Sequence, residues 1–505
     1  MLARKTILTG WILLPAALAV EDVSARPMVS LGRDNTAVVS TSRYLARVIG
    51  GSVVYLKDRT TGETLLDGSW TSPMVRFVES GAPVTVTAPG PRRFCAALVG
   101  KDTVRFVGGT AHGGCAVKLV TEIKAKEEEL LMTGRAEASG NFEGLASVSL
   151  SLGSTLPHTE VIVPTTGGNS YRSTGLRAAQ TLEWPITWEA AMLQVQGRHG
   201  GVLICAYEPF KRFKNLHLSP ARTGWNIALE SENHAPFQGK RAVKSLVWHV
   251  RPYKGEWRQG ASIYRNWHRR TFRPSPSEEP SWVRDIRAEI HCGTDTAVLD
   301  ALVKAGIDPR WTLLYVADWR SNPYDLNYPD YTPADHLAPF IEKAHRSGFR
   351  VMLHVNYFGC DPNVAEYQRF KPFQIRHRYS GELQWWDWPR SEPPRKFAYI
   401  NPASREWRRF FVAKMVELVR RTGADALHLD QTLCIFNDGN GPIDGLNMAE
   451  GNLSLHRELK AAMPGLALSG EGLNEVTTIH EAFAQRHAAG VDHVNQTFNR
   501  AAINQ

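Results

Sequence analysis

The sequence predicts a multidomain α and β protein, an N-terminal antiparallel β-sandwich followed by a TIM-type (β/α) barrel that lacks its last strands. Three observations predict it. Residues 28–246 carry short alternating runs broken by Gly, Pro, Asn and Asp. Residues 286–498 alternate strand-like with helix-like segments, and an Asp and a Glu each close a short apolar run in the last third. In a β/α barrel, groups at the C-terminal ends of strands face the pocket built by the loops.

The N-terminal 25 residues read as a secretory signal. Arg4 and Lys5 supply the positive region, Ile7 to Val20 the apolar stretch, and Val23-Ser24-Ala25 small residues for cleavage. Thr9, Gly10 and Pro15 interrupt that stretch, and no later segment is long enough to span a bilayer. The expectation is an exported protein, secreted or periplasmic.

The sandwich is expected over residues 28–258. Val53-Val54-Tyr55-Leu56, Val84-Thr85-Val86, Thr103-Val104-Arg105-Phe106, Ala116 to Val120 and Val148 to Leu152 are its clearest strands. Thr61-Gly62, Pro89-Gly90 and Gly108-Gly109 read as turns. Residues 259–282 are expected as a linker, helical over Gly260 to Phe272 and then stiffened by Pro274, Pro276 and Pro280.

The barrel is expected over residues 283–505. Its strands are placed at Ile286–Cys292, Thr312–Ala317, Arg350–Tyr357, Ala426–Asp430, Leu466–Ser469 and His493–Phe498. Helices fit Thr296–Ala305, Pro333–Ser347, Ser404–Thr422 and Met448–Ala462. This alternation means a parallel sheet covered by helices. Six strands are visible where a closed barrel needs eight, hence the expectation of an incomplete barrel.

Composition narrows the function classes. The chain has 505 residues, 43% hydrophobic and 22% charged, which is more than one ordinary core requires. Its net charge of +9 is spread without any Lys/Arg block, so nucleic acid is a poor partner. The 15 Trp and 14 Tyr suit sugar binding, although most such residues in any protein are core. Six cysteines lie scattered with no CxxC pair, which argues against a zinc or redox motif. Cys95 and Cys115 could bridge neighbouring strands, with the other four as buried thiols. No His/Asp/Glu spacing reads as a metal site, and neither a phosphate-binding loop nor a nucleophile elbow occurs. No cofactor is expected.

Asp430 and Glu471 are the candidate chemical pair. Asp430 follows Leu427 and Leu429, with His428 expected to face the other way, and is expected ionised at the barrel mouth. Glu471 lies between Gly470 and Gly472, which let the backbone bring its carboxyl close to a ligand. Two such carboxyls can serve as nucleophile and general acid/base in glycoside hydrolysis. The plainer alternatives are a cap on the next segment for Asp430 and a solvated loop acid for Glu471. Glu475 is the rival acid, and Asp492 a weaker one at the wrong end of its strand.

Other strand ends offer substrate contacts. Asp318-Trp319-Arg320 combines a carboxylate, an aromatic face and a cation, and His354-Val355-Asn356-Tyr357 alternates polar groups. Trp386 and Trp388, in the Trp385-Trp386-Asp387-Trp388 run, suit a platform or lid. His428 and Gln431 flank the proposed nucleophile, while His493 and Asn495 have weaker claims. The plain alternatives are buried histidines bonded to backbone and strand-end salt bridges.

Several of these runs resemble a known group. Ser347 to Tyr357 resembles the third-strand motif of α-amylase-like glycoside hydrolases, Asp425 to Asp430 their fourth-strand nucleophile motif, and Gly470-Glu471 their fifth-strand acid/base. The layout is similar to α-glycosidases with an N-terminal β-sandwich, including endo-α-N-acetylgalactosaminidases, α-galactosidases and bacterial glycosidase-like proteins. The Arg that α-amylases carry two residues before the nucleophile is His428 here, and their seventh-strand His-Asp pair is absent. The resemblance implies a retaining mechanism on an α-linked oligo- or polysaccharide, without cofactor. Asp430 would attack the anomeric carbon, and Glu471 would protonate the leaving group and then activate water. A carbohydrate-binding protein without turnover and a transglycosylase are the alternatives.

Overall fold

The computed structural model describes residues 27–32, 34–165, 168–173, 178–222, 224–272, 279–487 and 495–499. The expected signal segment, Asp492 and His493 lie outside these. Residues 28–254 build two large, mostly antiparallel sheets of eleven and ten strands. The strand Cys115–Ala125 shows why they stack, because its burial alternates residue by residue and places Val117, Leu119 and Ile123 inside. Residues from both sheets share one apolar cluster.

The strand Gly144–Leu152 departs from that alternation and is buried along its whole length. Its serines face polar partners: Ser147 donates to Glu230, and the Ser149 hydroxyl accepts from the Met74 N–H at 2.7 Å. On this face Glu232 accepts from Asn437 at 2.8 Å and lies 3.5 Å from Arg378, so loops of the second half cover this sheet with charge-paired groups. A buried carboxylate is tolerable only with such partners.

Two expectations about the sandwich are corrected. Gly108-Gly109 is not a turn but the middle of the strand Thr103–His112. A side chain at Gly108 would strike the Phe94 ring, so the glycine serves packing. Cys95 and Cys115 are free thiols rather than a disulfide, since Cys95 opposes Val107 and Cys115 opposes His112.

Helix α1 (Trp257–Phe272) lies where a linker helix is expected, and it packs on the sandwich through Tyr264 and Trp267. The second half then alternates strand and helix: β1 (Ala288–His291), α2 (Ala297–Lys304), β2 (Thr312–Val316), α3 (Leu337–Ser347), β3 (Arg350–Asn356), α4 (Arg405–Thr422), β4 (Ala426–Asp430), α5 (Met448–Ala462), β5 (Ala467–Glu471), β6 (Phe483–His487) and β7 (Asn495–Asn499). Local signals set several ends. Ser404 caps α4 and Asn447 forms a capping box with Glu450 on α5, while Gly348 and Gly423 end α3 and α4 in the left-handed region.

These seven strands form one sheet in chain order, parallel from β1 to β6, with β7 antiparallel to β6. Among the described residues the sheet is an open half-barrel. The sixth parallel strand is therefore Phe483–His487, and the segment expected as sixth turns back beside it. β6 contains no β-branched residue, so its strand character comes from pairing with β5 rather than from propensity.

The inner face of the half-barrel is layered. Met352, Ala426 and Ala467 share one register row at the bottom, in an apolar cluster with Tyr315. His354, His428 and Ser469 form the next row, and Asn356 and Asp430 the row above. The opposite parity, including Leu353, Val355, Leu427 and Leu429, faces the helix layer and joins the main core.

Candidate active site

Asp430 ends β4 and Glu471 ends β5, at the centre of the sheet and on its C-terminal rim. Gln431 joins them. Its backbone sits at φ +59°, and its N–H donates to Glu471 Oε2 at 3.0 Å. Thr432 Oγ1 donates to the Glu471 carbonyl at 3.1 Å, fixing the turn after Asp430 against β5. Gly470 is required because a side chain there would collide with Glu481 and Thr432, and Gly472 takes φ +86°.

The Asn356 amide is oriented by its surroundings. Its Oδ1 accepts from the N–H groups of Phe358 at 3.2 Å and Gly359 at 2.7 Å, which turns Nδ2 toward Asp430 Oδ2 at 3.2 Å. Burial, then Glu471 and Asp325, raise the Asp430 pKa well above the ordinary carboxylate range, against the Asn356 and Gln431 hydrogen bonds that lower it.

His428 faces away from Leu427 and Leu429, as expected, and so shares the face of Asp430, because residues two apart along a strand share a face. Its Nδ1 lies 3.0 Å from Ser469 Oγ, and its ring stacks 5.6 Å from that of His354. His354 Nδ1 lies 2.6 Å from the Tyr315 hydroxyl and its Nε2 3.8 Å from Asp430 Oδ2. Burial, with His428 and Arg320 adding positive charge nearby, holds His354 well below the usual imidazole range. No metal-ligand spacing is legible along the chain, yet one ligating atom each of His354, His428 and Asp430 lies within 4.8 Å of the others.

The loop after β2 carries a third acid that the sequence reading missed. Asp325 sits at φ +59° and is 4% exposed, with Oδ1 lacking a hydrogen-bond partner. Burial pushes its carboxyl up to about 6, against the pull of Arg320 and Tyr328. Arg320 clamps this loop by donating to the carbonyls of Pro323, Leu326 and Asp330 at 2.8–3.0 Å. The Tyr324 ring lies 5.0 Å from the His354 ring, and burial and Asp430 both raise its pKa. No local signal marked Asp325, which lies seven residues beyond the position where the strand-end rule pointed to Asp318.

Several proposed contacts sit elsewhere. Asp318 is exposed. Trp319 is fully buried and donates to the His354 carbonyl at 2.7 Å, and Tyr357 is fully buried with its hydroxyl 3.0 Å from Asn452 Nδ2. Both are core residues rather than sugar contacts. Asn495 lies on β7, opposite His487. Trp386 and Trp388 lie on a hairpin with Arg395–Tyr399, their rings 5.6 Å apart. The Arg395 guanidinium sits 5.6 Å from the Trp388 ring and 5.8 Å from that of Tyr324, linking the hairpin to the loop that holds Asp325.

Glu475 is not a rival acid in the pocket. It is buried and accepts from Trp184 Nε1 at 2.7 Å, from the Tyr264 hydroxyl and from the Ala191 N–H at 3.3 Å, with Lys211 Nζ at 4.0 Å. Burial acts to raise its pKa, but Lys211, Lys214 and His268 outweigh that and hold it below the ordinary range. It bolts the loop after β5 to the sandwich and α1.

Comparison with known proteins agrees with this layout. A family profile described as "Domain of unknown function (DUF6259)" matches residues 245–438. No curated protein sequence matches. Among solved structures, the α-N-acetylgalactosaminidase NagBb from Bifidobacterium bifidum in complex with GalNAc superposes with a TM-score of 0.69 at 12% identity, covering 93% of this chain and 79% of that one. Its Gal-NHAc-DNJ complex gives 0.68 at 12% identity, covering 93% and 78%. A GH36 α-galactosidase, AgaA from Geobacillus stearothermophilus, reaches 0.46 at 12% identity, covering 90% and 74%. At the identity of NagBb it is the fold that is shared, and the chain has a glycosidase-like fold.

Proposed function

We propose that the chain is a retaining α-glycosidase that hydrolyses O-glycosidic bonds, with Asp430 as nucleophile and Glu471 as general acid/base. One observation carries this reading: two carboxylates end adjacent central strands and are joined through a single backbone N–H, Gln431 to Glu471 at 3.0 Å. Such a pair cannot ionise twice at low cost in a buried site, so one proton is shared between acid and nucleophile roles.

In the proposed cycle Glu471 donates that proton to the leaving oxygen while Asp430 attacks the anomeric carbon from the β face. Asn356 Nδ2 steadies the anionic Asp430, and Asp325, with its unpartnered Oδ1, accepts a hydroxyl of the bound sugar. Glu471 then takes a proton from water, which displaces Asp430 and restores the α configuration. The Trp386–Trp388 hairpin, tied to Tyr324 through Arg395, flanks the sugar.

The fold shared with an enzyme solved with GalNAc bound supports an α-linked substrate, and aryl α-N-acetylgalactosaminides and α-galactosides are the first to assay. Export remains part of the proposal on the sequence signal alone, and N-terminal sequencing of the mature protein tests it. For the chemistry, Asp430→Ala should abolish hydrolysis while circular dichroism stays that of the wild type. Saturable glycan binding with no hydrolysis by the intact protein would instead favour a binding protein.

A further inference from the structure

The inner face of the half-barrel beneath Asp430 holds more ligating power than sugar chemistry needs. Two imidazoles and a carboxylate converge from β3 and β4, with one atom of each inside 4.8 Å of the others. His354 is 3% exposed and its Nε2 makes no hydrogen bond, the nearest anion being Asp430 Oδ2 at 3.8 Å. A buried ring nitrogen without a partner is costly, and this one lies beside the Asp430 carboxylate.

The outer partners match those of metal-binding imidazoles. A ligating histidine almost always engages its second ring nitrogen with an oxygen, which fixes the ring. Here the Nδ1 atoms of His354 and His428 lie 2.6 Å from the Tyr315 hydroxyl and 3.0 Å from Ser469 Oγ, and the Nε2 edge of His354 is left for an ion. Distances permit it. An ion centred in an equilateral triangle of 4.8 Å sides sits about 2.8 Å from each corner. A closure of about 0.8 Å or less per ligand then reaches the roughly 2.0–2.1 Å of a zinc–nitrogen bond. Two imidazoles with one carboxylate select borderline ions such as Zn2+ over Mg2+ and Ca2+, which prefer all-oxygen shells.

We propose that His354, His428 and Asp430 bind one divalent transition-metal ion of zinc-like character, which occupies the nucleophile and excludes the sugar. The inhibitory consequence rests on the glycosidase reading; the binding itself does not. Bound metal takes a lone pair from each imidazole and one carboxylate oxygen, and any proton on Asp430 is released to solvent.

The test is isothermal titration of the untagged full-length protein with ZnCl2, and with MgCl2 in parallel. One Zn2+ per chain is expected, with affinity falling about ten-fold or more in His354→Gln and His428→Gln and no saturable Mg2+ binding. Zinc affinity unchanged in both variants, or no saturable Zn2+ binding, overturns the site. If the variants do not fold, Co2+ added to the intact protein decides the matter. Ligand-field bands of a nitrogen/oxygen site support the proposal, and a thiolate charge-transfer band overturns it. Hydrolysis assays with and without Zn2+ and EDTA separate the two readings. Active enzyme that no Zn2+ concentration inhibits overturns only this inference. Histidine-dependent zinc binding without hydrolysis of any α-glycoside supports the site and overturns the proposed function.

Discussion

Replacing Asp325 by Asn should stabilise the protein at neutral pH while impairing its proposed chemistry. The folded environment raises this carboxyl from 3.8 to about 6, so the fold prefers its protonated form. At about 1.36 kcal/mol per pKa unit, that preference is worth about 3 kcal/mol once both folded and unfolded groups are ionised. The sign follows from proton counting. A carboxyl raised in the fold binds more protons folded than unfolded, so stability is full below about pH 4 and falls as pH rises through about 6. Asn cannot ionise and escapes that loss, although it forfeits attraction to Arg320. For a unit of 150–250 residues, 3 kcal/mol corresponds to a rise of about 6–12 °C in Tm. The assay is differential scanning calorimetry of both proteins from pH 4 to 8 with EDTA present. The variant's advantage should grow from pH 4 to 7 and then level off. An advantage that does not change with pH would refute the reasoning, because then burial of the Asp325 charge is not what strains this loop.

Three other perturbations follow from named contacts. Asn356→Ala removes the amide that donates to Asp430 Oδ2 at 3.2 Å; a hydrogen bond to a charged group is worth about 1.5–3 kcal/mol, so kcat should fall about 10- to 150-fold. Because that bond lowers the Asp430 pKa, the acidic limb of the pH–rate profile should move to higher pH in the same variant, whereas Asp325→Asn should move it lower. Glu475→Gln leaves Lys211 and Lys214 buried without their anion and should cost about 3–5 kcal/mol, read as a lowered Tm. Trp388→Ala, at a ring 41% exposed, should leave Tm unchanged and raise KM about 2- to 10-fold with kcat retained.

The sequence made β4, β5 and the four helices legible because each apolar period is bounded by a strong cap or a glycine. Asp430 and Glu471 were found because strand ends are where a parallel sheet exposes side chains. Strand parity also orders their neighbours. Asn356 and Asp430 share the inner face, so Tyr357 one residue on must face the helices, and His428 two residues before Asp430 must share its side. Trp319 lies three residues beyond the end of β2 but turns into the core, because its indole nitrogen is satisfied by the His354 carbonyl. Asp325, Tyr324 and Arg395 were not legible at all. Their meeting depends on Arg320 folding one loop and on the Trp hairpin approaching from a different insertion, which are contacts with no local period. β6 was missed for a related reason: its residues carry little strand propensity, and a neighbouring segment alternates better.

The central claim is that Asp430 attacks and Glu471 protonates, and azide rescue tests it most directly. An activated aryl α-glycoside hydrolysed by the wild type is incubated with Asp430→Gly or Glu471→Ala and sodium azide, and the product anomer is read by proton NMR. The account predicts a β-glycosyl azide from Asp430→Gly, where azide fills the place of the missing nucleophile. It predicts an α-glycosyl azide from Glu471→Ala, where azide attacks the intact glycosyl-enzyme. Reversed anomers would exchange the two roles, as the raised pKa of Asp430 would allow, and wild-type hydrolysis by both variants without azide would contradict the pair altogether.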